Sequence, residues 1–366
     1  MNIGCVKEIK NNENRVGLTP QSVSSYVKAG HRVLIEKGAG LGSGFKDIDY
    51  KKAGAIIVLD AADIWKKVDM MIKVKEPIKS EYKYFRKGLL IYTYLHLAAN
   101  LPLVKALLKS GVNSVAYETI KDETGLPCLR PMSEVAGKLS ILEGARFLYK
   151  SNHGVGLLIS GVTGVNPAKV LIIGGGVVGR AALSQAYGLG AEVTVLDINP
   201  KTLETLKEKY PNIKTDVSNE ENLIKHLSDS EIIVSGVLLP GAKAPKLIKK
   251  SYYRHMKKGA VIVDVAIDQG GSTESSHPTT HQEPVFTVNG IIHYCVANMP
   301  GIVPKTSTIA LNHATLKFGL ELANKGLECA LKESIALKHG LNTYQGKLVI
   351  KEVADAFGLP HTILEL

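Results

Sequence analysis

The glycine-rich stretch at residues 170–180, VLIIGGGVVGR, constrains the fold of this chain more than any other feature. An apolar run leads into Gly174, Gly176 and Gly179, which fit G-x-G-x-x-G, and the next apolar run, EVTVL, is followed by Asp197. The first glycine permits a tight turn, the second lets the backbone approach a pyrophosphate, and the third allows close helix packing. The start of the helix offers N–H groups to an anion, and the acid is placed for a ribose. The stretch predicts a dinucleotide-binding unit, since a turn that merely joins strand to helix would leave Asp197 without a purpose.

Short apolar runs alternate with helix-like segments along the rest of the chain. They include HRVLIE, DMMIKV, GLLIYTY, NSVAYE, EIIVSGV and AVIVDVAID. Such alternation predicts an α/β fold with parallel sheets, and because it continues on both sides of residue 130 we expect two sheets. The stretch PMSEVAGKLSILEGARFLYKS is predicted to be a long helix capped by Ser133, and the segment from Ile309 to Leu337 is predicted to be helical as well.

Composition and charge exclude several classes of protein. The formal net charge is +11, but the lysines are scattered among acids, and the basic run from Lys243 to Lys258 has few aromatic residues interleaved for base stacking. We therefore expect a solvated face and no nucleic-acid partner. The four cysteines form no C-x-x-C pair, which is typical of a reduced, cytoplasmic protein without a zinc site or other metal. No apolar run approaches the roughly eighteen residues that span a bilayer, so we expect no membrane partner.

Polar residues follow several of the predicted strands. Lys75 closes the run MMIKV, in which Lys73 should share its face; His96 follows GLLIYTY, Asp268 follows VIVDV, and Arg15 lies in the loop after the first strand. Taken singly, the two cations are ordinary surface charges, and His96 and Asp268 are ordinary turn residues. Together, two cations can hold a carboxylate, a histidine can exchange protons near neutral pH, and an acid can tune the site.

Seven motifs in this order resemble the NAD-dependent alanine dehydrogenases along nearly the whole chain. They are KEIKNNENRVGLTP, KVKEP, YLHLA, RPMSEVAG, SGVLLPGAKAP, VDVAIDQGG and YCVANMPGIVPKTST. The resemblance implies reversible oxidative deamination of L-alanine to pyruvate and ammonia, usually by a homohexamer. It also implies two Rossmann-like domains: a discontinuous N-terminal catalytic domain of residues 1–128 and 307–366, and an NAD-binding domain of residues 129–306.

The resemblance also implies roles for individual residues. Arg15 and Lys75 would bind the carboxylate and carbonyl end of the substrate, while His96 and Asp268 would handle protons. Besides the three glycines, the implied NAD-binding residues are Ser133, Val177, Val178, Asp197, Ser218, Val237, Leu238, Val265, Ala266, Ile267, Asp268, Val296, Ala297, Asn298 and Met299. The chain departs from some relatives at the periphery of the cofactor, where Thr202 stands in place of a lysine and His277 in place of an arginine.

Three alternatives share parts of this pattern. The nucleotide-binding subunit of proton-translocating transhydrogenase has the same fold, but the chain lacks membrane segments and keeps Lys75 and His96 in their motif contexts. A lysine-pathway dehydrogenase of the saccharopine type should need room for a long diamine or dicarboxylate. A non-catalytic NAD sensor would keep the glycine-rich loop while the substrate residues were relics, although Arg15, Lys75, His96 and Asp268 are all present.

Overall fold

A computed structural model describes residues 1–237 and 244–364 and divides the chain into two compact units. Unit 1 comprises Met1–Pro131 and Val303–Leu366, and unit 2 comprises Met132–Ile302. Each unit contains its own sheet with helices around it. The prediction of two largely parallel α/β domains, the first of them discontinuous, is confirmed.

The strands of the described residues are short and mostly buried. In chain order they are β1 (Asn2–Cys5), β2 (Arg32–Glu36), β3 (Ile56–Val58), β4 (Met70–Ile72), β5 (Leu90–Thr93), β6 (Asn113–Ala116), β7 (Lys169–Ile173), β8 (Glu192–Asp197), β9 (Lys214–Val217), β10 (Ile232–Ser235), β11 (Val261–Asp264), β12 (Val285–Val288), β13 (Ile291–Tyr294), β14 (Leu341–Tyr344) and β15 (Lys347–Leu348). Every residue of β4, β5, β6, β10 and β11 is buried, as expected for parallel strands that are covered on both faces.

The helices complete the alternation. They are α1 (Pro20–Lys28), α2 (Asp47–Lys52), α3 (Ala61–Lys67), α4 (Leu101–Ser110), α5 (Arg130–Phe147), α6 (Val177–Gly188), α7 (Pro200–Lys209), α8 (Glu220–Asp229), α9 (Pro304–Lys325), α10 (Leu327–Glu333), α11 (Ile335–Gly340) and α12 (Lys351–Phe357). Within the described ranges, none of these helices is long and apolar enough to cross a membrane.

Both sheets reverse their strand order beside their first strand. Unit 1 has the order β15-β14-β6-β5-β4-β1-β2-β3, in which only the β14 pairings are antiparallel. Unit 2 has the order β12-β13-β11-β10-β7-β8-β9, in which only β12 pairs antiparallel. Ligands of such sheets bind beyond the carboxyl ends of the strands at the reversal, here β1 with β4 and β7 with β10.

Side-chain packing explains the close approach of helices to these sheets. In unit 1 the core cluster contains Trp65, Ile91 and Leu107, each completely or almost completely buried. Gly4 on β1 leaves no room for a Cβ, which would lie 2.6 Å from Ile64 Cγ2 and 2.9 Å from Val68 Cγ1. The missing side chain lets α3 and the residue after it pack directly on the strand.

Two local predictions were wrong. Strand β4 ends at Ile72 instead of Lys75, so the alternation of faces does not extend to the two lysines, and Lys73 is completely buried whereas Lys75 is half-buried. Helix α5 begins at Arg130, so Ser133 lies inside its first turns and does not cap it. Pro131 suits the start because proline lacks a main-chain N–H, and an N–H at this position would have no helical partner.

The predicted helical segment from Ile309 to Leu337 is confirmed as helical, and it is divided into three helices. They are separated at Gly326, whose φ of 76° ends α9, and at Ser334, whose side chain accepts a hydrogen bond from the main-chain N–H of Leu337 and caps α11.

Candidate active site

Arg15 is the most deeply buried of the four candidate catalytic and substrate residues, with 2% of its surface exposed. It lies in the loop after β1, and its Nε and Nη2 donate to Glu13 Oε1 and Oε2 at 2.7 and 2.6 Å. Burial raises the pKa of Glu13, but Arg15, and then Lys75, outweigh it and lower that pKa below its usual value. The charged Glu13 therefore fixes the guanidinium plane by a two-point contact.

Lys75 is half-buried and lies in the bend that follows β4. Its main chain is held from both neighbouring strands. Glu8 Oε1, after β1, accepts from the N–H groups of Val74 and Lys75 at 2.6 and 3.3 Å, and Thr93 Oγ1, at the end of β5, donates to the Lys75 carbonyl at 3.1 Å. These bonds set where the Lys75 side chain leaves the backbone.

His96 follows β5 and adopts a left-handed backbone conformation with φ 48°. This conformation costs a non-glycine residue about 1–2 kcal/mol. Glu118, two residues beyond β6, stabilises it because its Oε1 accepts from the N–H groups of Leu95 and His96 at 3.0 and 2.7 Å. The side chain of His96 remains 45% exposed within this arrangement.

Glu76 orients the His96 ring. Its Oε2 lies 3.3 Å from His96 Nδ1, and its Oε1 contacts the ammonium group of Lys10. Burial raises the pKa of Glu76, but His96 and Lys10 outweigh it and hold that pKa at about 2. Because a charged carboxylate accepts and cannot donate, this contact assigns the proton to Nδ1 and leaves Nε2 as the nitrogen available for exchange.

Tyr94 contacts the ring of His96 and lies within the electrostatic influence of Arg15. Its ring centroid lies 5.8 Å from that of His96, and its hydroxyl donates to the Cys128 carbonyl at 2.6 Å. Burial raises the pKa of Tyr94 well above its usual value, and the charge of Arg15 acts in the opposite direction. The structure thus brings Arg15, Lys75 and His96 of unit 1 together, whereas Asp268 belongs to unit 2.

The acidic residues that hold these side chains were not predicted from the sequence. Two of them had a local signal, because Glu13 and Glu76 stand within two residues of a candidate cation in NENR and KVKEP. The others, Glu8 and Glu118, are distinguished only by their position after a predicted strand.

The glycine-rich turn of unit 2 has the shape that a dinucleotide requires. Gly174 has φ 96°, and a Cβ on Gly179 would lie 1.8 Å from the Gly174 carbonyl oxygen, so α6 can begin here only without that side chain. Gly176 precedes the first residue of α6, and a Cβ there would meet no atom within 4 Å. The open space above Gly176 lies at a helix N-terminus, where an anion is stabilised. The residues present therefore fit a dinucleotide.

Asp197 points back to this turn from the end of β8. Its Oδ2 accepts from the Gly175 N–H at 2.6 Å and its Oδ1 from the Asn199 N–H at 2.8 Å. Its carbonyl accepts from the Ser218 N–H at 2.9 Å, and Val237 Cγ2 lies 3.1 Å from the Cβ position of Gly174. The structure thus gathers the turn, Asp197, Ser218 and Val237 at one edge of the sheet.

The other predicted cofactor residues that the structure describes lie in four segments of unit 2. Val177 and Val178 are the first residues of α6, and Val177 is 40% exposed. Ser133 lies in α5. The residues after β11 and β13 are Val265, Ala266, Ile267 and Asp268, and Val296, Ala297, Asn298 and Met299. Leu238 lies outside the described residues.

Asp264 holds the segment that carries Asp268. Its buried carboxylate accepts from the N–H groups of Ala266 and Ser272 at 3.2 and 2.7 Å and from Ser276 Oγ at 2.5 Å. Asp268 itself is exposed, in the short 3₁₀ helix Val265–Gln269. A buried aspartate therefore shapes the loop and presents a second aspartate at its surface.

Three further residues of unit 2 concern the predicted cofactor site: Thr202, His277 and Arg180. The Thr202 Cγ2 lies 2.6 Å from the Cβ position of Gly175, so this side chain covers the glycine turn. The ring of His277 stacks on Phe286 with centroids 3.8 Å apart. Arg180 donates from Nε to the Gly175 carbonyl at 2.9 Å and adds a cation beside the turn. No role was predicted for it from the sequence.

Comparisons with known proteins agree with this geometry. The family model "Alanine dehydrogenase/PNT, N-terminal domain" matches residues 4–136, and "Alanine dehydrogenase/PNT, C-terminal domain" matches residues 140–351. A protein of Staphylococcus aureus (strain USA300) named alanine dehydrogenase 2 is 51% identical over 368 aligned residues, which cover 100% of this chain and 99% of that protein. This chain belongs to the alanine dehydrogenase/PNT family.

Two solved structures separate the branches of the family. An L-alanine dehydrogenase superposes with a TM-score of 0.95 and 47% identity, covering 98% of this chain and 99% of the other. A transhydrogenase from Sinorhizobium meliloti superposes with a TM-score of 0.82 and 25% identity, covering 96% and 99%. The chain is thus more similar to the L-alanine dehydrogenase than to the transhydrogenase in both fold and sequence.

Proposed function

We propose that this chain is an alanine dehydrogenase that catalyses the reversible, NAD-dependent oxidative deamination of L-alanine to pyruvate and ammonia. The observation that carries the proposal is the 51% identity, over the full chain, to a protein named alanine dehydrogenase. The geometry of unit 1 supports it, because two cations and a histidine follow β1, β4 and β5 and each is held by a carboxylate.

Arg15 and Lys75 bind the substrate in this proposal. Alanine and pyruvate both carry a carboxylate, and a cation that donates a hydrogen bond to it forms a stronger contact than a neutral donor. Glu13 keeps Arg15 in one orientation. Lys75 reaches the carboxylate or the carbonyl oxygen from a bend whose backbone is fixed, so little backbone freedom is lost on binding.

His96 moves protons at the reacting carbon. Oxidation leaves an iminium at the alanine Cα, water adds to it, and the carbinolamine collapses to pyruvate and ammonia, so protons must move on and off nitrogen and oxygen. With Nδ1 bound to Glu76, the Nε2 of His96 can accept a proton from water or the amine and return it. Asp268 is the second proton-handling residue that we propose, on the surface of the loop after β11.

NAD is the proposed cofactor, and when bound it accepts the hydride from the substrate. The glycine turn and the N-terminus of α6 would hold its pyrophosphate, and Asp197 would accept from the adenosine ribose. The further residues proposed to contact it are Ser133, Val177, Val178, Ser218, Val237, Leu238, Val265–Asp268 and Val296–Met299. Residues 1–128 and 307–366 would form the catalytic domain and residues 129–306 the NAD-binding domain.

We also propose a homohexamer in the cytoplasm. The resemblance to the family supports the hexamer, and the cysteines are consistent with a reducing compartment because all four are free and three of them are buried. Light scattering of the purified protein tests the hexamer.

Formation of NADH with a panel of L-amino acids tests the function, with Lys75→Ala as the inactive reference. L-Alanine should be oxidised at least tenfold faster than glutamate or lysine. Lys75→Ala should abolish measurable alanine oxidation, because a charged substrate group would lose its partner in the site, while the melting temperature and NADH binding stay near those of the parent. No NADH formation with any amino acid would favour a sensor, and activity with lysine plus an oxoacid would favour a saccharopine-type enzyme.

A further inference from the structure

Unit 1 contains a buried chain of three charges, in which Lys73 and Glu81 have so far been given no role. Lys73 is completely buried, and its Nζ lies 3.1 Å from Glu8 Oε2 and 3.2 Å from Glu81 Oε1. Both glutamates are also buried. Burial lowers the pKa of Lys73, but the two carboxylates outweigh it and raise that pKa. Such a group is costly to bury, and apolar side chains of similar volume often replace one without loss of stability.

The remaining oxygens of the two carboxylates explain what the chain of charges does. Glu8 Oε1 accepts from the N–H groups of Val74 and Lys75 at 2.6 and 3.3 Å. Glu81 Oε2 accepts from the Ile78 N–H at 2.8 Å. The bend from residue 74 to residue 78 is therefore fixed near both of its ends, and Lys73 ties the two fixing carboxylates to each other.

The loop that carries Arg15 packs against Ile72 and Lys73, the residues that lead into this bend. A Cβ on Gly17 would lie 2.9 Å from the Ile72 carbonyl oxygen and 3.1 Å from the Lys73 Cα, so the two backbones are in direct contact. A shift of the bend would thus move Lys75 relative to Arg15.

We propose that the Glu8–Lys73–Glu81 chain positions Lys75 for the substrate. This inference rests on the proposed function, because it assigns to Lys75 a substrate contact whose placement matters. The three residues do not touch the substrate; they are positioning residues that act through the backbone of the bend. Displacement of a binding group by about 1 Å can cost up to a hundredfold in rate.

Glu8→Gln tests the proposal. The amide oxygen can still accept from one main-chain N–H, but the charge that ties the carboxylate to Lys73 is removed. We expect kcat/KM for L-alanine to fall at least tenfold, chiefly through KM, while KM for NAD stays within twofold of the parent. Asp69→Asn is the matched control: its Oδ2 accepts from the Asn2 N–H at 2.7 Å, in the same unit but at the ends of β1 and β4 that are opposite to the bend. It should retain the parental KM for alanine.

A second measurement does not depend on turnover. The rate at which trinitrobenzenesulfonate labels Lys75, followed by peptide mass spectrometry, should change at least threefold in Glu8→Gln, whereas the rate at the exposed Lys105 should not change. If the parent does not oxidise alanine, the proposed function fails, and the labelling still decides whether Glu8 positions Lys75. Parental labelling and parental KM in folded Glu8→Gln would overturn the positioning role.

A variant that keeps the buried volume covers the case in which Glu8→Gln does not fold. The triple variant Glu8→Gln, Lys73→Met and Glu81→Gln removes all three charges, so no buried charge is left unpaired. A folded triple variant with a raised KM for alanine supports positioning by the charges. A folded triple variant with the parental KM shows that the charges serve only the packing of unit 1, and overturns the proposal.

Discussion

The two units present their candidate binding groups in opposite ways. In unit 1 the groups are charged side chains, and each is held by a carboxylate: Arg15 by Glu13, His96 by Glu76, and the Lys75 backbone by Glu8. In unit 2 the glycine turn presents main-chain N–H groups and empty space, with Asp197 as the main acidic contact. A site that binds its ligand through charged side chains therefore needs fixed counter-charges around them. A site that binds its ligand through main-chain N–H groups needs residues without side chains.

The first prediction concerns His96, whose substitution should have a large effect on kcat. His96→Ala should lower kcat by about 10²-fold or more, because a positioned acid–base group contributes on the order of 10²–10⁴. NADH binding, followed by fluorescence titration, should stay near that of the parent. His313→Ala, which removes an exposed histidine of α9 in the same unit, is the control and should keep the parental kcat. Unchanged turnover in His96→Ala would contradict the proton-handling role.

The second prediction concerns Asp197, the acid beside the glycine turn of unit 2. We expect kcat/KM to favour NAD over NADP by about 10²-fold or more, since the phosphate of NADP would face a carboxylate and each 1.4 kcal/mol is roughly tenfold. Asp197→Ala should narrow this preference by weakening NAD and improving NADP. Steady-state kinetics with both cofactors measure it. Comparable rates in the unmodified protein would show that Arg180 or Lys201 offsets Asp197.

The third prediction separates two glycines of the same turn. Gly176→Ala adds a Cβ into open space, so the melting temperature should stay close to that of the parent while the Kd for NADH rises roughly tenfold, as the backbone can no longer approach the pyrophosphate. Gly179→Ala places a Cβ 1.8 Å from a carbonyl oxygen, so it should lower the melting temperature. Equal effects of both substitutions on folding and on binding would refute this division of roles.

Sequence patterns predicted the parts of the molecule that depend on local spacing. Apolar runs located most of the central strands, and the glycine turn with Asp197 was recognisable because its parts are close together in the chain. The counter-charges were not, since Glu118 is 22 residues from His96 and Glu8 is 66 and 67 residues from Val74 and Lys75. These residues become partners only in the folded sheet, where the ends of β1, β4, β5 and β6 lie side by side.

Lys73 shows why alternation failed at one strand end. A period of two assigns Lys73 and Lys75 to one face, but β4 ends at Ile72 and the bend that follows turns the two side chains to different surroundings. Nothing in the local sequence indicates that Glu8 and Glu81 are available to bury Lys73. The environment of a charged residue therefore depended on acids outside the strand.

Buried titratable groups extend the comparison between the units. In unit 1 the buried Lys73 and Arg15 have carboxylate partners. In unit 2, His293 on β13 is completely buried, stacks on Phe286 with centroids 4.9 Å apart, and has no hydrogen-bond partner for either ring nitrogen among residues 1–237 and 244–364. Burial, and then the nearby His277, lower the pKa of His293 from 6.5 to about 4.

The lowered pKa of His293 predicts that the protein loses stability in acid. We expect this effect to be smaller than those of the three preceding predictions. Because the pKa of His293 is lower in the folded state than in the unfolded state, the neutral ring stabilises the folded state above about pH 6.5. This stabilisation is lost as the pH falls towards 4, at about 1.4 kcal/mol for each pH unit. His293→Phe keeps the stacked ring and removes the titration. The fall in melting temperature between pH 7.5 and pH 5.0, measured by circular dichroism, should be smaller in this variant by roughly a few degrees. His255→Phe, at an exposed histidine of the same unit, should behave like the parent. If both variants lost stability in acid as the parent does, the acid-sensitive group of the fold would lie elsewhere than at His293.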